Sequence, residues 1–197
     1  MVNVNGAIYL DARNSEVLLE KPRSSGKTRI VTHWKSNVFG IDVDQGVMWE
    51  STDGRKDCIQ ALGGHWGSHH RLPHLKLHGD DRVGNRGELI DGSARRLKRF
   101  GVYVYNNDVQ PLKTIQGMYT MVQVPGQKPV IVQFGEVNGP ACGVLEVERT
   151  DRGLVIKRSM YVVRRYPGEK RTNQELIDRH WKYGLSWSPC AKPPRTK

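Results

Sequence analysis

The sequence contains few cysteines and none of the cysteine spacings that hold small proteins together. Cys58, Cys142 and Cys190 are the only three among 197 residues, they lie far apart, and no Cys-x-x-Cys pair occurs. An odd number of scattered cysteines argues against a disulfide framework and against a cysteine zinc site. We therefore expect reduced thiols in a cytoplasmic protein.

Long apolar runs and leader patterns are missing as well. No run approaches the roughly 18 apolar residues that a membrane-spanning helix requires. Residues 1–6 do not combine a basic stretch with an apolar one, so no secretory leader is expected. We predict a chain without a transmembrane segment.

Familiar catalytic motifs are also absent from the sequence. It has no Gly-x-Ser-x-Gly, no phosphate-binding P-loop and no His-Glu-x-x-His. Cys58 and His65 could serve as a nucleophile and a base, but their place in the sequence does not bring them together. We expect a protein that is not an enzyme.

What the chain does have is an ordinary globular balance, with 37% hydrophobic and 26% charged residues. Its length favours one domain, which we predict over residues 1–197. Lysine and arginine total 31 against 20 aspartate and glutamate residues, which leaves a formal net charge of +11. Such a charge suits an anionic partner, or a basic face that only keeps the protein soluble.

Short β-prone runs separated by turns extend over most of the chain, and 21 glycines and 10 prolines favour those turns. The predicted strands fall at residues 7–10, 17–20, 29–34, 41–44, 47–49, 58–62, 101–105, 118–124, 130–134, 142–148 and 154–163. Residues 63–88 are the least regular section. The pattern predicts an all-β fold, a two-sheet antiparallel β-sandwich.

One short C-terminal helix is predicted at about residues 173–183. Thr172 and Glu175 fit a capping box, in which a hydroxyl and a carboxylate satisfy free backbone amides. The residues that share one face at helical spacing are Leu176, Ile177, His180 and Trp181. This face favours packing on the sandwich, and residues 191–197 are expected to form a flexible tail.

Acidic residues occur in two places that could supply one metal site. Asp42 and Asp44 alternate along a predicted strand, so both project from the same face and repel one another. Residues 78–88 offer carboxylates and glycines in a loop where backbone carbonyls can also turn inward. If this loop folds against the strand, the ligands of a calcium ion would be Asp42, Asp44, Asp80, Asp81, Asn85 and Glu88. The alternative is that these residues only form solvated turns.

The order of these motifs resembles a known family, the TerD/TerA group of tellurium-resistance and stress proteins. The segments that carry the resemblance are IDVD at 41–44, QALG at 60–63, GDDRVG at 79–84 and GE at 87–88. The ending around Asp178, Tyr183, Trp187 and Pro189 resembles the tail of the TerA-like branch. The resemblance runs from about residue 31 to about residue 192.

This resemblance implies an all-β sandwich whose acidic loops bind calcium, in a cytoplasmic protein that is not an enzyme. It implies a role in tellurite, phage or general stress resistance, beside other tellurium-resistance proteins or within a membrane-associated assembly at the inner membrane face. Carried over by position, the implied calcium ligands are Asp42, Asp44, Asp80, Asp81 and Glu88. The loop differs from the family pattern, because Val83, Asn85 and Arg86 stand where further acidic residues are usual.

Five of the seven histidines fall within residues 65–78, namely His65, His69, His70, His74 and His78. Clustered imidazoles can bind zinc, nickel or copper. The spacing of four residues from His70 to His78 would suit a helix, but Pro73 and the neighbouring glycines argue against one. Three interpretations stay open: surface loop histidines, a soft-metal site and a pH-sensitive contact.

Two basic clusters could bind a polyanion, and their members are Arg95, Arg96, Arg99, Arg164, Arg165, Lys170 and Arg171. Tyr161 and Tyr166 accompany the second cluster, where rings could stack on bases while the cations contact phosphates. An anionic membrane surface and a merely solvated face are the alternatives. Nucleic-acid binding is therefore the second hypothesis on function.

Overall fold

The computed structural model describes residues 4–21, 26–35, 43–79, 87–106 and 111–187. In these residues the chain forms the strands β1 (Ile8–Leu10), β2 (Glu16–Glu20), β3 (Thr28–Lys35), β4 (Val43–Ser51), β5 (Lys56–Ile59), β6 (Leu75–Leu77), β7 (Glu88–Gly92), β8 (Leu97–Asn106), β9 (Gln116–Gln123), β10 (Val130–Gln133), β11 (Ala141–Arg149) and β12 (Gly153–Val162), and the helix α1 (Asn173–Trp181). The predicted flexible tail lies outside the described residues.

The strands form two six-stranded sheets. Sheet A has the order β1-β10-β9-β3-β7-β6, and sheet B has the order β2-β12-β11-β8-β4-β5. The described strand pairs are antiparallel except that β1 runs parallel to β10. The predicted all-β sandwich with a short C-terminal helix is confirmed.

The main core lies between the two sheets. Strand β3 shows the alternation expected of a strand with one covered face, since its buried residues are every second one from Thr28 to Trp34. All nine residues of β4 are buried, because this strand is covered on both faces. The second cover is a smaller apolar cluster in which Met48 and Tyr103 of sheet B meet Ile177 and Trp181 of α1.

The helix begins and ends close to the predicted positions. The Thr172 hydroxyl accepts a hydrogen bond from the Glu175 amide at 3.1 Å, as one half of a capping box requires. His180 is an exposed residue, but its ring stacks on Tyr161 of β12 with ring centroids 3.9 Å apart. Asp178 is buried and accepts bonds from the chain that follows the helix.

Glycines in two strands create the space that seats the helix. A β-carbon on Gly101 or on Gly143 would lie 2.6 Å from the Trp181 ring, so only glycine leaves room for the indole. The indole N–H donates to the Ser159 hydroxyl at 3.1 Å. The apolar face of α1 is therefore fixed on sheet B through Trp181.

The irregular section predicted at residues 63–88 contains a strand that the sequence pattern did not reveal. Strand β6 is only three residues long, and it pairs with β7, with Lys76 opposite Asp91. A three-residue strand is too short to display an alternating pattern. Its pairing brings the histidine-rich segment onto the edge of sheet A.

Strands β1 and β2 are consecutive in the chain but belong to different sheets. The link between them is a turn at residues 11–15, where the Asp11 carboxylate accepts bonds from the Arg13 and Asn14 amides, both at 2.7 Å. The chain therefore crosses from the edge of sheet A to the edge of sheet B within a few residues.

Candidate functional site

One end of the sandwich gathers the strands that carry or adjoin the predicted calcium ligands, and we call it the acidic end. Val43, the first residue of β4, pairs with Asn106, the last residue of β8. Glu88, the first residue of β7, pairs with Thr32 of β3. The Gln45 side chain of β4 reaches the Glu88 carbonyl across the sheets at 3.4 Å. Strands β4 and β7 therefore begin at the same end of the molecule.

Two of the predicted metal ligands fall within the described residues, and both are buried. Asp44 is 3% exposed and Glu88 is 1% exposed. Burial raises the pKa of Tyr105 well above its ordinary value, and the negative charges of Asp44 and Glu88 raise it further. Both carboxylates therefore lie close enough to the buried Tyr105 hydroxyl to affect its pKa.

The other predicted ligands lie outside the described residues, and they are Asp42, Asp80, Asp81 and Asn85. The described chain resumes after them at Val43 and at Gly87, both at the acidic end. The set of ligands remains a prediction.

A buried polar network behind the acidic end joins the two sheets. The Thr32 hydroxyl donates to the Gln45 side-chain oxygen at 2.5 Å and lies 2.8 Å from the Thr120 hydroxyl. The Gln45 amide donates to the Ile30 carbonyl at 3.3 Å. Because buried polar groups need partners, this network favours one spacing of β4 against sheet A.

A second cluster lies on the edge of sheet A, where two histidines meet one aspartate. The Nε2 atoms of His69 and His78 each lie 2.7 Å from the same oxygen, Oδ1 of Asp91. The other oxygen of Asp91 accepts a bond from Lys27 at 3.1 Å. Burial acts to raise the pKa of Asp91, but the bonds from His78, Lys27 and His69 outweigh it and lower the pKa to about 2.

The histidine spacing that the sequence emphasised is not the one that the fold uses. Residues 65–78 form no α-helix, so His70 and His78 do not share a helical face. His70 is exposed, and its amide donates to the Ser68 hydroxyl at 3.2 Å. The aspartate that joins His69 and His78 comes from β7, and this tertiary contact has no local sequence pattern.

Cys58 and His65, considered above as a nucleophile and a base, do come together. Their side chains and Asp57 place one ligand atom each within 4.8 Å of one another. Asp57 also accepts a bond from the Cys58 amide at 2.8 Å. This cluster lies at β5, on sheet B, and is separate from the histidines that meet Asp91.

The two basic clusters lie at opposite ends of sheet B. Arg96 immediately precedes β8, whereas Arg164 and Arg165 follow β12, whose residue Val162 pairs with Cys142. The register carries Cys142 opposite Val104, near the far end of β8. Val104 and Arg99 lie five residues apart on β8, or about 17 Å at the usual rise per residue. A continuous basic stripe is therefore not formed.

Several members of the predicted polyanion set have structural partners. Arg99 donates to Glu50 at 2.8 Å and to the Trp181 carbonyl at 3.0 Å, and its guanidinium lies 4.2 Å from the centre of the Tyr183 ring. Arg171 pairs with Glu169 at 2.7 Å. Arg165 donates to the carbonyls of Glu169 at 3.3 Å and Arg171 at 3.0 Å. Arg95, Arg96, Arg164, Arg165 and Lys170 are exposed.

Comparisons with known proteins agree with the fold and with the motifs. No protein-family model matches the chain. A tellurium-resistance protein, TerA of an Alcaligenes species, is 26% identical over 207 aligned residues, which cover 94% of this chain. The crystal structure of a homologue of TerD, the telluride resistance protein, from Streptomyces coelicolor A3(2), matches with a TM-score of 0.53 at 15% identity. It covers 72% of this chain and 92% of that one.

The resemblance to the TerD-like tellurium-resistance family is confirmed. The sequence match is to a TerA protein, in agreement with the TerA-like ending noted above. The chain spans 58% of the length of that TerA relative. The structural match at 15% identity supports the fold alone.

Within the described residues, no helix has both the length and the apolar character needed to span a bilayer.

Proposed function

We propose that this chain is a calcium-binding, non-enzymatic module of tellurite and stress resistance that acts through protein or membrane-surface interactions. The observation that carries the proposal is the burial of Asp44 and Glu88 at one end of the sandwich. Val43 and Gly87, which border the segments with Asp42, Asp80 and Asp81, lie at this same end. Burying several carboxylates together costs free energy that a bound divalent cation offsets.

Calcium suits the oxygen ligands that the sequence offers at the acidic end. It takes six to eight oxygens from carboxylates, amides, backbone carbonyls and water in flexible loops. By cancelling the repulsion among the carboxylates, the ion would tie the two segments to the ends of β4 and β7. A cytoplasmic partner then recognises the resulting rim, either another tellurium-resistance protein or a membrane-associated assembly.

The relatives support the biological part of the proposal. The TerA relative and the TerD homologue both carry names for resistance to tellurium species. The TerA match covers nearly the whole of this chain, so the resemblance includes the strands that bear Asp44 and Glu88.

A calcium titration tests the metal part. We expect millimolar calcium to raise the thermal midpoint of the wild-type chain, because a ligand that binds only the folded state stabilises it. The Asp44→Asn/Glu88→Gln variant should lose this rise. Asp151→Asn, an exposed turn residue between β11 and β12 at the other end of sheet B, is the matched control and should keep it.

Two outcomes would contradict the calcium proposal. One is an unchanged midpoint of the wild-type protein at millimolar calcium. The other is an equal rise in wild type and in the Asp44→Asn/Glu88→Gln variant. Equilibrium dialysis with radioactive calcium provides a direct measurement of binding, should the double variant have an altered midpoint of its own.

The second candidate function is polyanion binding through the cluster that follows β12. Arg164, Arg165 and Tyr166 line a groove of about 720 Å³, and Tyr166 is 68% exposed. An exposed ring beside two arginines suits stacking on a base with contacts to phosphate.

Heparin or DNA chromatography tests this second candidate. We expect salt-dependent retention that falls in the Arg164→Ala/Arg165→Ala variant. The control is Arg95→Ala/Arg96→Ala, which removes the same charge from the opposite end of sheet B. Equal losses of retention in the two variants would indicate net charge alone and would contradict a specific groove.

A further inference from the structure

We propose that His69, His78 and Asp91 form a binding site for a divalent transition-metal ion, with zinc as the preferred ion. The site is distinct from the acidic end in its ligand types, so it stands or falls independently of the calcium proposal. Two imidazole nitrogens and one carboxylate oxygen are ligands that suit zinc, whereas calcium takes oxygen ligands.

The three ligand atoms already converge. Both Nε2 atoms lie 2.7 Å from Oδ1 of Asp91, and the ligand atoms of the three residues lie within 4.8 Å of one another. In a tetrahedral zinc site, bonds of about 2.0–2.1 Å hold the ligand atoms about 3.3 Å apart. Small outward rotations of the two rings, whose centroids are 5.5 Å apart, would therefore admit the ion.

Backbone bonds hold the cluster in place on the sheet edge. The His78 amide donates to the Leu89 carbonyl at 3.0 Å, and β6 pairs with β7 beside Asp91. His74 positions the other arm, because its Nδ1 lies 3.1 Å from the His69 carbonyl. Gly92 allows this close packing, since any β-carbon there would collide with the His74 carbonyl.

The exposure of the three side chains suits an ion that enters from solvent. Asp91 is buried at 8% exposure, whereas His69 and His78 are 28% and 39% exposed. The Asp91 carboxylate thus lies at the buried side of the site, and the two imidazole rings lie at its solvent-exposed side. Three protein ligands with an open fourth position are the arrangement of zinc sites that retain a water molecule.

Lys27 sets the limit on affinity. Its ammonium lies 3.1 Å from Oδ2 of Asp91, and its side chain is 54% exposed. The positive charge opposes a second cation nearby, but an exposed lysine can turn into solvent when the ion binds.

Zinc and cobalt(II) binding to the 197-residue chain without a histidine tag tests the site. Isothermal titration should give one zinc equivalent for the wild type. His69→Gln and His78→Gln should each lower the affinity by roughly tenfold or more, since each removes one of three ligands. His70→Gln, an exposed histidine of the same segment, is the matched control and should bind as the wild type does.

Further variants separate this site from the other two places that could hold zinc. Cys58→Ser should keep full affinity, which excludes the cluster of Asp57, Cys58 and His65. The Asp44→Asn/Glu88→Gln variant should also keep it, which excludes the acidic end. Failure of calcium binding at the acidic end would leave these zinc results unchanged.

Wild-type cobalt(II) spectra guard against variants that do not fold. The visible bands of the bound cobalt should indicate four or five nitrogen and oxygen ligands without a thiolate charge-transfer band. A thiolate band, an absence of zinc binding by the wild type, or full affinity in folded His69→Gln and His78→Gln would each overturn the proposal.

Discussion

Glu50 on sheet B and Asp91 on sheet A are buried carboxylates with the same 8% side-chain exposure. Hydrogen bonds from basic partners outweigh burial at both and lower both pKa values to about 2. The partners differ, however. Glu50 is held by Lys98 at 2.9 Å and by Arg99 at 2.8 Å, whereas two imidazoles share one oxygen of Asp91.

The difference teaches that equal burial and equal pKa do not imply an equal role. Lysine and arginine keep their positive charge and are not metal ligands. The contacts of Glu50 with Lys98 and Arg99 therefore stabilise the structure and offer no metal site. Arg99 also bonds to carbonyls at the end of α1, so this pair joins β4 to the helix. Imidazoles can exchange a hydrogen bond for a metal bond, which leaves the Asp91 cluster open to a ligand.

The largest expected effect is on the closed pair. Glu50→Ala should lower the free energy of unfolding by about 3 kcal/mol, because it leaves Arg99 partly buried without its carboxylate. Urea denaturation measures this loss. Glu148→Ala removes an exposed carboxylate on β11, two strands from β4 in the same sheet, and should change stability by no more than about 0.5 kcal/mol. Equal losses in the two variants would contradict a structural role for Glu50.

A smaller effect is expected at the open cluster. Asp91→Asn keeps an oxygen that accepts bonds from His69 and His78 but removes the charge that attracts Lys27. We expect the metal-free protein to lose about 1–2 kcal/mol of unfolding free energy, less than Glu50→Ala. A loss larger than that of Glu50→Ala would contradict the claim that the Glu50 cluster contributes more to stability than the Asp91 cluster.

The contribution of Glu50 to the free energy of unfolding should depend on pH in the acid range. The unfolded chain takes up the proton near the ordinary pKa of 4.5, whereas the folded chain resists it until about pH 2. The stabilisation is therefore present above pH 4.5 and is lost as the pH falls towards 2. Urea midpoints measured from pH 5 to pH 2.5 should fall less steeply in Glu50→Gln than in wild type. Parallel slopes would contradict the lowered pKa.

The smallest expected effect on stability is that of Lys27→Met. This ion pair has one half-exposed partner, so its loss should cost less than about 1 kcal/mol by urea denaturation. Zinc affinity should rise about threefold to tenfold in the same variant, since the opposing charge is gone. An unchanged or lower zinc affinity would contradict the role given to Lys27.

The fold was predictable because its strands have regular apolar patterns and clear turns. β-prone runs between turns identified β3, β9 and β12, and the hydroxyl of Thr172 marked the start of α1. Strand β6 escaped prediction because three residues between glycines and histidines have no measurable period. The buried bonds of Gln45 escaped too, since a polar residue in a strand predicts a solvent-facing side chain.

The candidate sites were predictable only in part. Alternating aspartates and a glycine-rich acidic segment, together with the family resemblance, predicted one ligand set, of which the described residues include only Asp44 and Glu88. The grouping of His69, His78 and Asp91 depends on the β6–β7 pairing, so spacing along the chain favoured other histidines. Arg99 was predicted to face a polyanion, but its position beneath the end of α1 makes it structural.

The turn at residues 11–15 connects the two sheets covalently along one side of the sandwich. Strand β1 is an edge strand of sheet A and β2 is an edge strand of sheet B, so the turn links the two sheets at their edges. A single proteolytic nick there would cut the covalent tie between the two layers on that flank. We expect the two sheets to separate first along this side. The histidine-bearing segment connects β5 to β6 on the opposite side of the sandwich.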